Sequence, residues 1–214
     1  MTRKGRARMS DPVFRSALAH RNDRNSVPGL SIGLTEISDR GMIDLRGVAS
    51  DKKFAGAVKD VLGVALCTKP RSSASAGDIT VLWLSIDQWL ITCPRSAAAD
   101  LHSRLVKALD GIHSLAVDVS DMRAIFRLEG DNARVVLNKG TSVDFTDGTL
   151  GAGSVRRLRY AEIAAAVHVI SDAPCVMDMY LFRSYADYAW SYLSKTAAKA
   201  SEVKLFGVHV GISA

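Results

Sequence analysis

Two helix starts of the same composition divide this chain. Arg95-Ser96 and Arg183-Ser184 lie 88 residues apart, and in that register Ser103 matches Ser191 and Leu105 matches Leu193. The helices preceding them begin near Asp51 and Asp131, four residues after Gly47 and one after Gly130. One such unit cannot cover both faces of its sheet, whereas two packed together can. The spacing predicts an α+β domain of pseudo-duplicated halves, about 30–111 and 114–200. Each half reads ββαββα, with antiparallel sheets and helices on one face. Reuse of the same capping chemistry without duplication is the competing reading.

The stretch 117–140 shows the unit most plainly. A strand ends at the Asp118-Val119-Ser120-Asp121 turn, whose side chains suit bonding to nearby backbone amides. A second strand covers 122–128. Asp131 or Asn132 can cap a short helix, and Gly140 can end it in the left-handed conformation. In the first half, 30–37 and 42–47 read as strands. Ser50 is a candidate N-cap. Phe54, Val58, Val61 and Leu62 share one helical face, and Gly63 stops that helix. Residues 70–77, PRSSASAG, read as a mobile loop. Strands at 79–85 and 88–92 flank an Ile86-Asp87 turn, and Leu101, Leu105 and Leu109 stripe the next helix. In the second half 140–155 is loop, 157–170 holds a strand or two, and 176–182 is a strand. Ser184 and Asp187 have capping-box spacing ahead of Ala189, Trp190 and Leu193. Residues 203–210 could add an edge strand.

At 214 residues and 48% apolar composition, the chain can build a core without disulfide or metal support. Cys67, Cys93 and Cys175 are too scattered for a disulfide framework or zinc site, and read as buried thiols in a reducing compartment. The net charge of +6 is concentrated in residues 1–24, where seven basic and two acidic side chains give +5. That is a basic arm, 1–27, rather than a charged folded face of the kind nucleic-acid-binding domains carry. No apolar run approaches membrane-spanning length, and the arm lacks the apolar stretch of a secretory signal. The expectation is a cytoplasmic domain over 28–200 with a tail at 201–214, and neither nucleic acid nor membrane as a partner.

Chemistry-bearing patterns are few. His20, His102, His113, His168 and His209 show no metal-ligand spacing, and no glycine-rich phosphate loop is present. Cys93 precedes a helix start but has no visible base, so a packed thiol is favoured. Asp118 and Asp121 could be paired carboxylates, although turn chemistry fits better. Arg156, Arg157 and Arg159 cluster around Leu158. In a strand, 157 and 159 share one face and 156 the other. They read as a solvated face or a contact for an acidic partner. Tyr188 and Tyr192 form an i,i+4 aromatic edge suited to an interface. No catalytic, cofactor-binding or metal residue is assigned, and the five interface candidates are Arg156, Arg157, Arg159, Tyr188 and Tyr192.

Four segments in order carry a family resemblance: residues 15–20, RSALAH; 81–91, VLWLSIDQWLI; 117–140, with VDVSD, RLEG and LNKG; and 183–188, RSYADY. Together they resemble the gamma subunit of heterotetrameric sarcosine oxidase. The core also resembles part of the folate-binding aminomethyltransferase domain. The resemblance implies a non-catalytic subunit of a flavoenzyme. That complex would oxidatively demethylate sarcosine or a similar N-methyl amino acid and transfer the one-carbon unit to tetrahydrofolate. FAD, FMN, NAD, tetrahydrofolate and zinc would sit on partners: a large folate-domain alpha subunit, a flavin-containing beta subunit and a small zinc-binding delta subunit. The alternatives are the gamma subunit of N-methylglutamate dehydrogenase and a stand-alone folate-binding one-carbon protein.

Overall fold

The computed structural model describes residues 13–25 and 27–202, and the backbone of 204–205 and 208–209. The first half runs β1 (Gly33–Ile37), β2 (Arg40–Arg46), α1 (Lys52–Leu62), β3 (Ser73–Ala76), β4 (Ile79–Ser85), β5 (Gln88–Pro94) and α2 (Ala98–Ala108). The second repeats that order with β6 (Leu115–Asp118), β7 (Arg123–Glu129), α3 (Ala133–Asn138), β8 (Val155–Tyr160), β9 (Ile163–Asp172), β10 (Cys175–Phe182) and α4 (Ala186–Ala197). Each half therefore has five strands, not the four expected. The extra strand in the first half is β3, inside the stretch read as loop. Its Ser-Ala-Ser-Ala composition hides it, but as an edge strand it needs only one partner. It pairs along β4 from Ser73 opposite Leu82 to Ala76 opposite Ile79.

The strands form two antiparallel sheets, β3-β4-β5-β2-β6 and β8-β9-β10-β7-β1. The order is the same in both, with one exchange. β1 of the first half completes the second sheet, and β6 of the second half completes the first. The 117–128 stretch is consequently not a hairpin within one sheet. β6 and β7 lie in different sheets, and the turn between them crosses from one to the other. Asp118 Oδ1 accepts from the Ser120 amide at 2.9 Å and from its hydroxyl at 2.5 Å, while Ser120 Oγ accepts from the Met42 amide at 2.9 Å. The turn chemistry thus pins the crossing to β2.

Alternation along the strands sorts side chains into three cores. Ile43, Leu45, Trp89 and Ile91 face Phe54, Val58, Leu101 and Leu105 of α1 and α2. Phe126, Met177 and Leu181 face Leu137 of α3 and Trp190 and Leu193 of α4. Met42, Leu82, Leu84 and Leu90 meet Ile125, Val155, Ala166 and Tyr180 along a seam between the sheets. The layers run helix, sheet, sheet, helix, so each sheet carries helices on one face. Both faces of the central strands are buried, which explains their near-continuous apolar runs. Each large apolar side chain so buried contributes on the order of 1.5–3 kcal/mol before entropy is subtracted.

Local details depart from expectation by small steps. The α1 N-cap is Asp51 rather than Ser50, with Oδ1 accepting from the Lys53 amide at 2.8 Å. Gly63 ends α1 at φ 71°, as expected. Val61 is only half-buried. Gly140 does not end α3 by left-handed geometry. It is a glycine because a Cβ there would lie 2.4 Å from the Tyr160 ring. Asn132 flanks α3 without a side-chain cap, and Ser184 makes none at α4. Asp187 instead meets His20 at 3.0 Å and Arg21 at 3.4 Å. The 203–210 expectation falls partly outside the described residues; β11 (Lys204–Leu205) and β12 (Val208–His209) pair only with each other.

The described part of the basic arm is fastened to the domain. Leu18 is fully buried in the second core. Glu36 accepts from the Leu18 amide at 3.0 Å and the Ser16 hydroxyl at 2.8 Å. The duplicated helix-opening arginines hold the arm from both sides: Arg183 donates to the Arg15 carbonyl, and the Arg95 guanidinium lies 3.5 Å from the Phe14 ring centroid.

Candidate functional site

The sheet registers place the two halves in correspondence. Arg40, Met42 and Asp44 of β2 stand opposite Pro94, Thr92 and Leu90 of β5. Arg123, Ile125 and Arg127 of β7 stand opposite Phe182, Tyr180 and Asp178 of β10. Arg40 thus corresponds to Arg123, Asp44 to Arg127 and Leu90 to Asp178. One step outward, Leu82 lies opposite Leu90 and His168 opposite Asp178. On the outermost strands Ser75 corresponds to Arg157. The seam therefore has two equivalent ends, and each holds a cleft.

The cleft at the Arg40 end, about 260 Å³, is lined by Ser73, Ser75 and Thr92 from one sheet and Arg127, His168, Asp178 and Tyr180 from the other. Asp178, buried, accepts two bonds from Arg127, at 2.8 and 2.9 Å. This pairing raises the Arg127 pKa, an effect that its partial burial opposes. Ser73 Oγ donates to the Gly153 carbonyl at 3.0 Å, so at 3.0 Å it accepts from His168 Nε2. Burial lowers the His168 pKa below 6.5, and the ring is neutral. Burial also pushes the Tyr180 hydroxyl up. Arg127, Asp178 and His168 are committed to neighbours in the same chain, whereas Arg40, which also lines the cleft, makes no ion pair among the described residues.

The Arg123 end is narrower, about 80 Å³, between Leu84, Leu90, Ala166, Phe182, Arg123 and Arg157. A second cleft of about 240 Å³ shares Leu84 and Arg157 with it and adds Arg71, Trp83 and Arg156. The two form a trough along β8, whose other edge pairs with β9. Asp44, the nearest acid in sequence correspondence to Arg127, is held by Gln88 at 2.8 and 3.0 Å instead of by an arginine.

The five interface candidates fall around that strand. Arg157 lies exposed on the seam side, reaching the Leu84 carbonyl at 3.4 Å. Arg159 pairs with Glu162. Arg156 is turned the other way, half-buried. Tyr192 packs edge-on to Tyr160 at 5.5 Å and bonds the Lys139 carbonyl at 3.3 Å; Tyr188 lies 6.3 Å from Tyr192 and is 43% exposed. The candidates are therefore grouped near one edge, though Arg159 is internally satisfied and Tyr192 is partly core. Arg40, Arg71, Arg123, Arg127, His168 and Asp178 were not singled out by sequence. The available signal was charge placed within or at the start of otherwise apolar strands.

No group of three or more His, Cys, Asp or Glu able to hold a metal occurs among the described residues. The three thiols are free, and burial raises each pKa, opposite to the shift an activated nucleophile needs. No helix of the described residues is long and apolar enough to cross a membrane. Asp121 reaches Arg95 at 2.5 Å while Asp118 serves its own turn, so the two carboxylates do not form a pair.

The model of the family described as sarcosine oxidase, gamma subunit family, matches residues 46–199. This chain belongs to that family. The gamma subunit of sarcosine oxidase from an Arthrobacter species is 30% identical over 122 residues, 56% of this chain; the match spans 59% of that relative's length. Heterotetrameric sarcosine oxidase from Corynebacterium sp. U-96, in complex with pyrrole 2-carboxylate, contains a chain of the same fold. It superposes with a TM-score of 0.78 at 21% identity, covering 90% of this chain and 98% of that one. Glycine cleavage system aminomethyltransferase T from Bartonella henselae gives a TM-score of 0.62 at 13% identity, over 83% of this chain and 56% of that one. The gamma-family fold is thus a duplicated sandwich shared with part of an aminomethyltransferase.

Proposed function

We propose that this chain is the gamma subunit of a heterotetrameric flavoenzyme that oxidatively demethylates sarcosine or a similar N-methyl amino acid and hands the one-carbon unit to tetrahydrofolate. The family match over 46–199 carries this reading. The chain's own role is structural: it braces the large folate-domain alpha subunit and leaves the chemistry to its neighbours. Arg127, Asp178 and His168 of the cleft at the Arg40 end are already bonded within the chain, which suits a brace. FAD, FMN, NAD and tetrahydrofolate belong on the alpha and beta subunits, zinc on the small delta subunit, and the assembly to the cytoplasm. The folded unit is 28–200, with 14–24 as a strap. Interface contacts come from Arg156, Arg157, Arg159, Tyr188 and Tyr192.

Co-expression with the other subunits tests this. The expected result is a flavin-absorbing complex containing this chain, with sarcosine oxidation that the isolated chain lacks. A monodisperse monomer that joins no flavin-containing complex overturns it. The likeness to an aminomethyltransferase motivates one rival, a stand-alone folate protein. Saturable tetrahydrofolate binding by the isolated chain would favour that rival.

A further inference from the structure

The trough along β8 contains an electrostatic imbalance that the described residues do not resolve. Arg71, Arg123, Arg156 and Arg157 line it, and among the described residues none forms an ion pair. Two of their Nε–H groups, on Arg123 and Arg156, are buried with no acceptor. A buried donor left unbonded costs about 1–3 kcal/mol, more when charged. At the other end of the seam β10 supplies Asp178 to Arg127 of β7; here the position of β5 that corresponds to Asp178 is Leu90. Burial accordingly lowers the Arg123 pKa, Asp44 offsetting it only at a distance. Arg71 adds strain, holding a left-handed φ of 66° that places its carbonyl 2.8 Å from the Val155 amide. Such outliers cluster at binding sites.

The surroundings fit a protein ligand. Phe182, 37% exposed, stacks on Arg123 at 5.0 Å, and Ile86, 83% exposed, caps the β4–β5 turn beside Leu84 and Gln88. Arginines with exposed apolar side chains around them are the composition of an interface core. The cleft at Arg123, about 80 Å³, has room for a carboxylate side chain.

We propose that the β8 trough receives an acidic segment of a partner subunit, with one carboxylate on Arg123 and Arg157 and another toward Arg156 and Arg71. The inference rests on the subunit reading above and names the face and the chemistry of the contact. The guanidinium forks would take these carboxylates in charge-assisted bonds. Residues 14–24 of the basic arm are not the docking surface in this scheme, because they are already fastened to the domain.

The test uses the co-expressed complex. Arg123→Gln and Arg157→Glu are each compared with wild type and with Lys52→Glu, a charge reversal on the exposed α1 face. Folding of each isolated chain is checked by circular dichroism. The expected result is at least a tenfold loss of affinity for both trough variants, with a smaller salt dependence of assembly than wild type, and no change for Lys52→Glu. Arg157 is exposed, so its variant reports even where Arg123→Gln fails to fold. A wild-type complex that both variants form equally well, with the same salt dependence, overturns the trough while leaving the subunit reading intact. A wild-type chain that joins no other subunit overturns the subunit reading instead. A wild-type homodimer dispersed by Arg157→Glu, or nucleic acid released by it, would assign the trough to a different occupant and overturn the inference as well.

Discussion

At one end of the seam between the sheets, Arg127 and Asp178 bind each other beside a neutral histidine; at the corresponding positions of the other end stand Asp44, Leu90 and Leu82. Two copies of one scaffold thus solve the same packing problem with opposite chemistry. One end pairs a buried acid with Arg127, and the other leaves Arg123 with no ion pair among the described residues and its Nε–H buried without an acceptor. The lesson is that duplication conserves the backbone's bonding pattern while freeing seam side chains to diverge. The largest effects should come from making the ends alike. Arg127→Met strands a carboxylate whose side chain is 7% exposed, and should cost about 3–5 kcal/mol in urea unfolding. Asp178→Leu should cost less, because the Arg127 side chain is 27% exposed and can reach water. The double variant removes both charges together and should fall within about 1 kcal/mol of wild type. A double variant as unstable as the sum of its parts would mean that the pair does more than satisfy itself.

The outer layers, by contrast, should behave as twins. Leu105 and Leu193 occupy corresponding turns of α2 and α4, and both are fully buried. Leu105→Ala and Leu193→Ala should each lose about 2–5 kcal/mol. Because β1 and β6 are exchanged between sheets, neither half has a complete sheet of its own. Both variants should therefore unfold in one transition, seen alike by Trp89 in the first core and Trp190 in the second. Two separable transitions would show that the exchange does not couple the halves.

This twinning was legible in the sequence where it depends on helices. The register of Arg95-Ser96 with Arg183-Ser184 and the spacing of Leu105 and Leu193 identify it directly, because helix starts and apolar stripes are local signals. The strand exchange was not legible. Asp118 to Asp121 is turn chemistry whether the chain reverses within a sheet or crosses to another, and only the partner of Ser120, the distant Met42 amide, decides between them. β3 was hidden for a related reason: a Ser-Ala edge strand is defined by its neighbour. The candidate site was half visible. Arg156 and Arg157 stood out as a run, whereas Arg123 lies 34 residues earlier and joins them only through the seam.

The glycines that follow the first helix of each half sharpen the same point at smaller cost. Gly63 is required by its left-handed φ and has open space around it, so Gly63→Ala should lose about 1 kcal/mol. Gly140 is required by the Tyr160 ring, and Gly140→Ala should lose about 1–3 kcal/mol through overpacking. Measured against Tyr160→Leu as background, the Gly140→Ala loss should shrink, while the Gly63→Ala loss should not. Equal losses in both backgrounds would remove the distinction between backbone strain and side-chain crowding.

The smallest expected effect concerns pH. Burial is the main reason the His168 pKa lies below 6.5; Asp178 nearby works against that shift and Arg127 reinforces it. The unfolded chain, free of that burial, takes up its proton first as pH falls. Protons then favour unfolding: the contribution is absent well above pH 6.5 and grows as pH drops below it, by at most about 1.4 kcal/mol per pH unit. It stops growing once the folded imidazole also titrates. The seam supplies its own control, since Leu82 corresponds to His168. His168→Leu should therefore flatten the fall in melting temperature between about pH 6.5 and 5, above the range in which carboxylates titrate. Ser73 keeps its bond to the Gly153 carbonyl in that variant, so no donor is orphaned by the change. An identical slope in wild type and His168→Leu would show that the imidazole is as free to protonate folded as unfolded, and that the polar end of the seam is open to water rather than sealed by the Arg127–Asp178 pair.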